Sequence, residues 1–239
     1  MNRARWRVAA TVIALFVAAA VAIAVGRGGA PLAPRPPGAR PALLLLTSLP
    51  LMFPDRFTLD GGGSPALTAL QTRYRVTPIS VTAKADLAMG RLLLLAHPRA
   101  QPAEDLVALD AWVRGGGRVL LLADPALEWP SERPLGDPLR PPPMFSDTGL
   151  LAHWGVRLDA PDRRGPREGI LGGQKVMTDS PGTLAGRCAI DEGGLVARCR
   201  VGRGRATIIA DADFLDAQRL GRPANLNALM VELAALEKR

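Results

Sequence analysis

Three leucine-rich runs constrain the fold of this chain more than any other feature. They lie at Ala42–Ser48 (ALLLLTS), Arg91–Ala96 (RLLLLA) and Arg118–Ala123 (RVLLLA). Short apolar runs without polar alternation are typical of strands that are buried on both faces of a parallel sheet. The chain is therefore expected to form a sheet whose two faces are both covered.

Helical segments separate these strands. Ser64 suits an N-cap and Pro65 the first position of a helix, and a second helix is predicted at Pro102–Arg114. The triple glycine Gly115–Gly117 is expected to end it. Repeated strand–helix–strand units predict an α/β fold with a mostly parallel sheet, helices on both faces and right-handed crossovers.

The C-terminal part predicts a β-hairpin and strand extension of this sheet. Gly193-Gly194 suits a two-residue turn, which pairs Cys188 with Cys199 across the ladder at a hydrogen-bonded position. A disulfide there would agree with an oxidising compartment, and two unrelated buried thiols are the alternative. No histidine or further cysteine lies nearby, so no metal site is expected. Two more elements are predicted, a strand at Ala206–Ala210 and a helix at Pro223–Lys238.

The N-terminal sequence is typical of a membrane anchor. Residues 1–7 are predicted to be a cytoplasmic arginine-rich tail, and residues 8–25 an uncharged signal-anchor helix close to the ~20 residues that cross a bilayer. Ala22–Ala24 leaves a cleaved signal peptide as the alternative. Residues 26–41 are a Pro/Gly-rich linker, and residues 42–239 are expected to form a soluble α/β domain. We expect a single-pass protein of the inner membrane with a periplasmic domain.

The positive charge does not indicate nucleic-acid binding. The net charge is +8, but the arginines are spread along the whole chain rather than gathered in a basic run. The sequence contains no helix-turn-helix or RNA-binding signature. An exported domain would not meet nucleic acid, so this class of partner is excluded.

Polar side chains follow several predicted strands. Because parallel sheets bind ligands at the carboxyl ends of their strands, these residues are the candidate ligand-binding site: Ser48, His97, Asp124, Asp211 and Asp213. Within this set, His97, Asp124 and Asp211 could instead hold a divalent metal ion. Alternatively, Asp124 and Asp211 cap the turns that follow them, and His97 is a partly exposed loop residue.

Two stretches carry a family resemblance. The segment from Leu92 to Asp159 (LLLLAHP…LDAWVRGGGRVLLLADP…LLAHWGVRLD) and the ending GRGRATIIADADFLD…GRPANLNALMVELAAL resemble the auxiliary domain of ABC-type transport systems of the gliding-motility GldG family. The resemblance implies the flavodoxin-like three-layer fold of class I glutamine amidotransferases. It also implies ABC transporter permease and ATPase subunits as partners.

Catalysis is not expected. In the amidotransferase-like fold the nucleophilic cysteine follows the strand that corresponds to Arg118–Leu122, and here Ala123-Asp124-Pro125 stands at that place. The prediction is a non-catalytic, membrane-anchored accessory subunit without a cofactor. The alternatives are a hydrolase or transferase that uses the strand-end Asp/His residues, and a periplasmic ligand-sensing domain.

Overall fold

The computed structural model describes residues 31–52, 63–191 and 193–238. The predicted tail and membrane helix, residues 1–7 and 8–25, lie outside them. Among the described residues, no helix qualifies as a membrane span by its length and hydropathy.

Eleven strands occur among the described residues. In chain order they are β1 (Ala42–Thr47), β2 (Arg75–Pro78), β3 (Leu92–Ala96), β4 (Arg118–Leu122), β5 (Val156–Asp159), β6 (Pro166–Leu171), β7 (Gln174–Asp179), β8 (Thr183–Gly186), β9 (Ala189–Ile190), β10 (Val196–Val201) and β11 (Gly204–Ile209). Seven of them form the central sheet, in the order β2-β1-β3-β4-β11-β10-β9. The neighbours from β2 to β11 are parallel, and β11, β10 and β9 pair antiparallel. The mostly parallel sheet with a C-terminal hairpin extension is confirmed.

Helices cover both faces of this sheet. They are α1 (Pro65–Gln71), α2 (Lys84–Leu87), α3 (Ala103–Arg114), α4 (Leu150–His153) and α5 (Ala224–Lys238). Alternate side chains of β1 belong to different cores, as the period of two in a strand requires. Leu43 packs in the cluster that contains residues of α1 and α5, whereas Leu44 packs with residues of α3 and α4.

The helix ends follow the local sequence. The side chain of Ser64 accepts a hydrogen bond from the amide of Leu67 at 3.1 Å, which confirms the predicted N-cap of α1. Helix α3 ends at Arg114, as predicted from the glycines that follow it. A Cβ on Gly117 would overlap the Trp112 ring, so this turn requires glycine.

Cys188 and Cys199 form the predicted disulfide, with their Cα atoms 4.8 Å apart. Their position in the ladder differs from the prediction. The first backbone bond beside the turn runs from the amide of Asp191 to the carbonyl of Val196, at 3.0 Å. Because the two kinds of pair alternate, the cysteines fall on a non-hydrogen-bonded pair, for which Cα atoms ~4.5 Å apart are usual.

Two small antiparallel sheets were not predicted, β5 with β8 and the ribbon of β6 with β7. Strand β6 carries the polar residues of PREGIL and is mostly exposed, so it lacks the apolar pattern of a core strand. The ribbon nevertheless packs against α5 and positions Asp179 beside the candidate site.

The compact unit that contains the sheet extends from Leu32. Part of the predicted linker is attached to it: Arg35 forms an ion pair with Glu237 at 2.9 Å, and its guanidinium lies 5.5 Å from the centre of the Tyr74 ring.

Candidate functional site

The five predicted site residues lie at one edge of the central sheet. Ser48, His97, Asp124 and Asp211 follow β1, β3, β4 and β11, and Asp213 begins a short 3-10 turn. They form two groups. Ser48 donates to the carbonyl oxygen of His97 at 2.5 Å, whereas the three aspartates gather at the ends of β4 and β11.

The carboxylate of Asp124 is completely buried, and both of its oxygens accept hydrogen bonds from backbone amides. Its Oδ1 accepts from Ala126 at 2.9 Å, and its Oδ2 accepts from Ala212 at 2.8 Å. The first bond caps the turn that follows β4, and the second joins that turn to the end of β11. Asp124 is thus a structural acceptor in this arrangement.

Asp211 makes a similar pair of bonds. Its Oδ1 accepts from the amide of Phe214 at 2.8 Å, and its Oδ2 accepts from the amide of Asp179 at 3.0 Å. Asp211 therefore caps the 3-10 turn, and it also attaches the last residue of β7 to the central sheet.

Arg219 joins the remaining carboxylates. Its guanidinium lies 2.8 Å from Asp213, 2.7 Å from Asp179 and 3.3 Å from Asp216. The other oxygen of Asp213 accepts from the amide of Glu128 at 2.7 Å. The Arg219 side chain thus forms ion pairs with three carboxylates. It does so where the Pro-rich loop after β4, the β6–β7 ribbon and the segment before α5 meet.

Burial and mutual repulsion raise the pKa values of this acidic cluster, which we define as Asp124, Asp211 and Asp213. Burial raises the pKa of Asp124 to about 6, and backbone hydrogen bonds partly oppose the rise. Burial, with the charge of Asp124 added, raises the pKa of Asp213 to about 7. Burial and the charges of Asp124 and Asp213 hold the pKa of Asp211 well above its usual range.

His97 is completely buried, so the alternative prediction that it is a partly exposed loop residue is wrong. Its Nε2 lies 2.9 Å from the carbonyl oxygen of Pro142, while its Nδ1 has no hydrogen-bond partner among the residues that the structure describes. Burial lowers its pKa to about 4, so the ring is neutral at pH 7 and donates from Nε2. The backbone of His97 has a φ of 49°, a left-handed conformation that few non-glycine residues adopt.

A cleft of about 570 Å³ opens beside Ser48. Its lining includes Ser48, Arg99, Pro78, Leu139 and Met52. Because β1 lies between β2 and β3, this place is the topological switch point, where open α/β sheets bind ligands. The Arg99 guanidinium is held by the carbonyl oxygens of Pro138 and Arg140, both at 2.5 Å.

The chemistry available at this edge is limited. Both oxygens of Asp124 and both oxygens of Asp211 accept hydrogen bonds from backbone amides. In the described part of the structure, no hydrogen bond joins His97 to Asp124. Within the same residues, no group of three or more histidines, cysteines or carboxylates is arranged to hold a metal ion.

Sequence reasoning missed Asp179 and Arg219. Asp179 ends β7, whose sequence QKVMTD alternates weakly, and its position at a strand end is the only available signal. Arg219 carries no local signal, because it lies in an irregular segment and meets its partners only through the tertiary fold.

Solved structures share this fold. The N-terminal domain of mmIFT52 matches with 13% identity and a TM-score of 0.54, covering 82% of this chain and 98% of that one. Cytoplasmic Protein STM1381 from Salmonella typhimurium LT2 matches with 10% identity and a TM-score of 0.54, covering 82% and 99%. The exo-beta-1,4-mannosidase Op5Man5 from Opitutaceae bacterium strain TAV5 has 15% identity and a TM-score of 0.49, and the match covers 81% of this chain and 36% of the mannosidase. At these identities the matches to the mmIFT52 domain and to STM1381 show a similar fold and nothing more.

No curated protein matches the sequence. One family profile does: the family described as "ABC-type uncharacterized transport system" matches residues 25–161, which is more than half of the chain. The match extends through β5 and includes the strand ends at Ser48, His97 and Asp124. This chain therefore belongs to the family of ABC-type transport system auxiliary proteins.

Proposed function

We propose that this protein is a non-catalytic accessory subunit of an ABC-type transport system, similar to the gliding-motility GldG proteins. Residues 8–25 are its single membrane helix, and the α/β domain lies on the periplasmic side of the inner membrane. The family match over residues 25–161 carries this proposal. Its partners are the permease and ATPase subunits of the same system.

The carboxyl edge of the sheet supports a non-catalytic role. The position of the amidotransferase nucleophile is occupied by Ala123-Asp124-Pro125, and Asp124 is bound by two backbone amides. A carboxylate that supports two turns is not free to act as a base on a substrate. In this proposal the α/β layers serve as a scaffold without a nucleophile.

The disulfide supports the periplasmic location. Disulfides persist in oxidising compartments and are rare in the cytosol, and Cys188 and Cys199 are joined.

The test is a pull-down of the full-length tagged chain from its native membrane in a mild detergent, followed by protein identification. We expect an ABC ATPase and a permease to be recovered. The variants His97→Ala and Asp124→Asn should recover the same partners if they fold, because neither residue acts catalytically. Recovery of the chain alone, from membranes that contain both subunits, would contradict the proposal.

A periplasmic ligand-sensing domain is the second candidate, and the cleft beside Ser48 favours it. A thermal-shift screen of small polar solutes tests this role, because a ligand that binds only the folded protein raises Tm. The shift should disappear in Ser48→Ala. The third candidate, a hydrolase or transferase, requires His97 and Asp124 to cooperate, and their hydrogen bonds run to different partners.

A further inference from the structure

Arginines lie side by side at the opposite, amino edge of the central sheet. Arg200 on β10 pairs directly with Arg205 on β11, and Arg205 pairs with Arg118 on β4. Directly paired residues share a face of the sheet, so three guanidinium groups project from one face in a row. Like charges that face each other across a ladder destabilise it.

In the described part of the chain no acid offsets the charges of Arg200 and Arg205. Neither Arg200 nor Arg205 has an oppositely charged group within ion-pair distance there. The buried carboxylate of Glu232, which is nearby on α5, is already bound by Arg198. Arg118 donates to the main-chain carbonyl of Glu237 at 2.6 Å and so gains no counter-charge.

A cleft of about 280 Å³ lies between this part of the sheet and α5. Its lining includes Arg198, Arg200, Arg205, Thr207 and Glu232. Planar guanidinium groups bind phosphate oxygens in a forked geometry, and their weak hydration favours such pairs. The cleft therefore combines the volume for a small anionic group with two positive charges that lack an acidic partner among the described residues.

The position of the cleft indicates where a phosphate would come from. The chain enters the domain at this same edge: Ala42 begins β1 there, and Arg35 binds Glu237 near the end of α5. The segment just before Leu32 leads to the proposed membrane helix. Phosphate groups of anionic lipid are attracted to arginines near a membrane surface.

We propose that Arg200 and Arg205 form a phosphate-binding site that takes the headgroup phosphate of an anionic lipid. The phosphate chemistry follows from the arginine pair and its cleft, whereas the lipid source rests on the membrane anchoring in the proposed function. The site is separate from the acidic carboxyl edge, and it leaves that edge free for partner subunits.

The test uses the full-length chain in a neutral detergent, labelled for thermophoresis. It is titrated with short-chain phosphatidylglycerol, with short-chain phosphatidylcholine and with inorganic phosphate at constant ionic strength. The variants are Arg200→Gln and Arg205→Gln. The matched control is Arg163→Gln, which removes the same charge from an exposed residue on the loop after β5. The two site variants should remain folded, because each removes a repulsion rather than a contact.

We expect saturable binding of phosphatidylglycerol, a Kd at least tenfold higher in either site variant, and a change below twofold in the control. Inorganic phosphate that binds as tightly, with the same loss in the variants, would retain the phosphate site and overturn the lipid source. Binding that is equal in the site variants and in Arg163→Gln, or no binding of either ligand, would overturn the site itself. These outcomes do not depend on the pull-down, which tests the accessory-subunit function separately.

Discussion

The main-chain amide of Asp179 donates a hydrogen bond to Oδ2 of Asp211 at 3.0 Å, and both residues are buried. This bond attaches the β6–β7 ribbon to the carboxyl end of β11. Asn225 strengthens the attachment, since its side chain binds both the amide and the carbonyl of Met177 in the same ribbon. The acidic cluster thus holds together parts of the chain that are distant in sequence.

Asp211→Ala should destabilise the domain by roughly 2–4 kcal/mol, because it leaves the amides of Asp179 and Phe214 buried without an acceptor. Asp211→Asn retains one acceptor oxygen and should cost less. Urea unfolding of the full-length chain in neutral detergent measures both. Asp162→Ala, at an exposed loop position, is the control, and an Asp211→Ala midpoint equal to that of the control would refute the structural role.

The pKa of Asp213 predicts a pH dependence of stability. Its value is about 7 in the folded protein and ~3.9 in an unfolded chain. Between these values the folded state holds more protons, so the free energy of unfolding falls as pH rises through this window. From pH 5 to 7.5 the loss from this group should be about 2 kcal/mol.

Asp213→Asn should reduce this loss without abolishing it, because the raised pKa values of Asp124 and Asp211 give a slope of the same sign. The measurement is the difference in unfolding free energy between pH 5 and pH 7.5 in both proteins. The lowered pKa of His97 gives a slope of the opposite sign, but that contribution is common to the two proteins. The same pH dependence in the variant would show that Asp213 titrates normally.

Gly204→Ala should destabilise the domain by more than about 2 kcal/mol. A Cβ at this position would collide with the carbonyl oxygens of Val113 and Gly117, which belong to backbone and cannot rotate away. Gly193→Ala is the matched control, because its added Cβ would have no atom within 4 Å in the described residues other than those of its chain neighbours. Thermal unfolding of the two variants should therefore differ clearly, and equal Tm values would be inconsistent with the close packing of β11 against the end of α3.

Loss of the disulfide should cost about 2–3 kcal/mol, the value expected for a short closed loop, since the two cysteines are 11 residues apart. The double variant Cys188→Ala with Cys199→Ala isolates this effect in urea unfolding. Mass spectrometry of the protein from its native membrane, alkylated with and without prior reduction, checks the bond itself. Complete alkylation without reduction would contradict it.

Local pattern was sufficient for most of the fold. The strands β1, β3 and β4 are continuous apolar runs, and the ends of α1 and α3 follow from Ser64 and Gly115–Gly117. The pairing of Cys188 with Cys199 also follows from the turn glycines. The sequence pattern did not predict the β6–β7 ribbon, because one face of the ribbon is exposed and the ribbon is attached to the sheet by polar rather than apolar contacts.

The candidate site was only partly predictable. The position of Asp124 and Asp211 at strand ends follows from the sequence, because parallel strands end at the same edge. The sequence does not predict that the amides of Ala212 and Asp179 donate hydrogen bonds to these carboxylates. That depends on how the loops fold over the edge.

The sequence by itself determined the α/β class, the core strands, the hairpin and the set of strand-end residues, since each depends on spacing along a few neighbouring residues. Only the tertiary structure decided that Arg219 meets Asp179 and Asp213, that His97 is buried, and that Arg200 lies opposite Arg205. These relationships join residues that are far apart in the chain or depend on strand register. Burial and electrostatic environment are therefore properties of the folded molecule, not of any single segment.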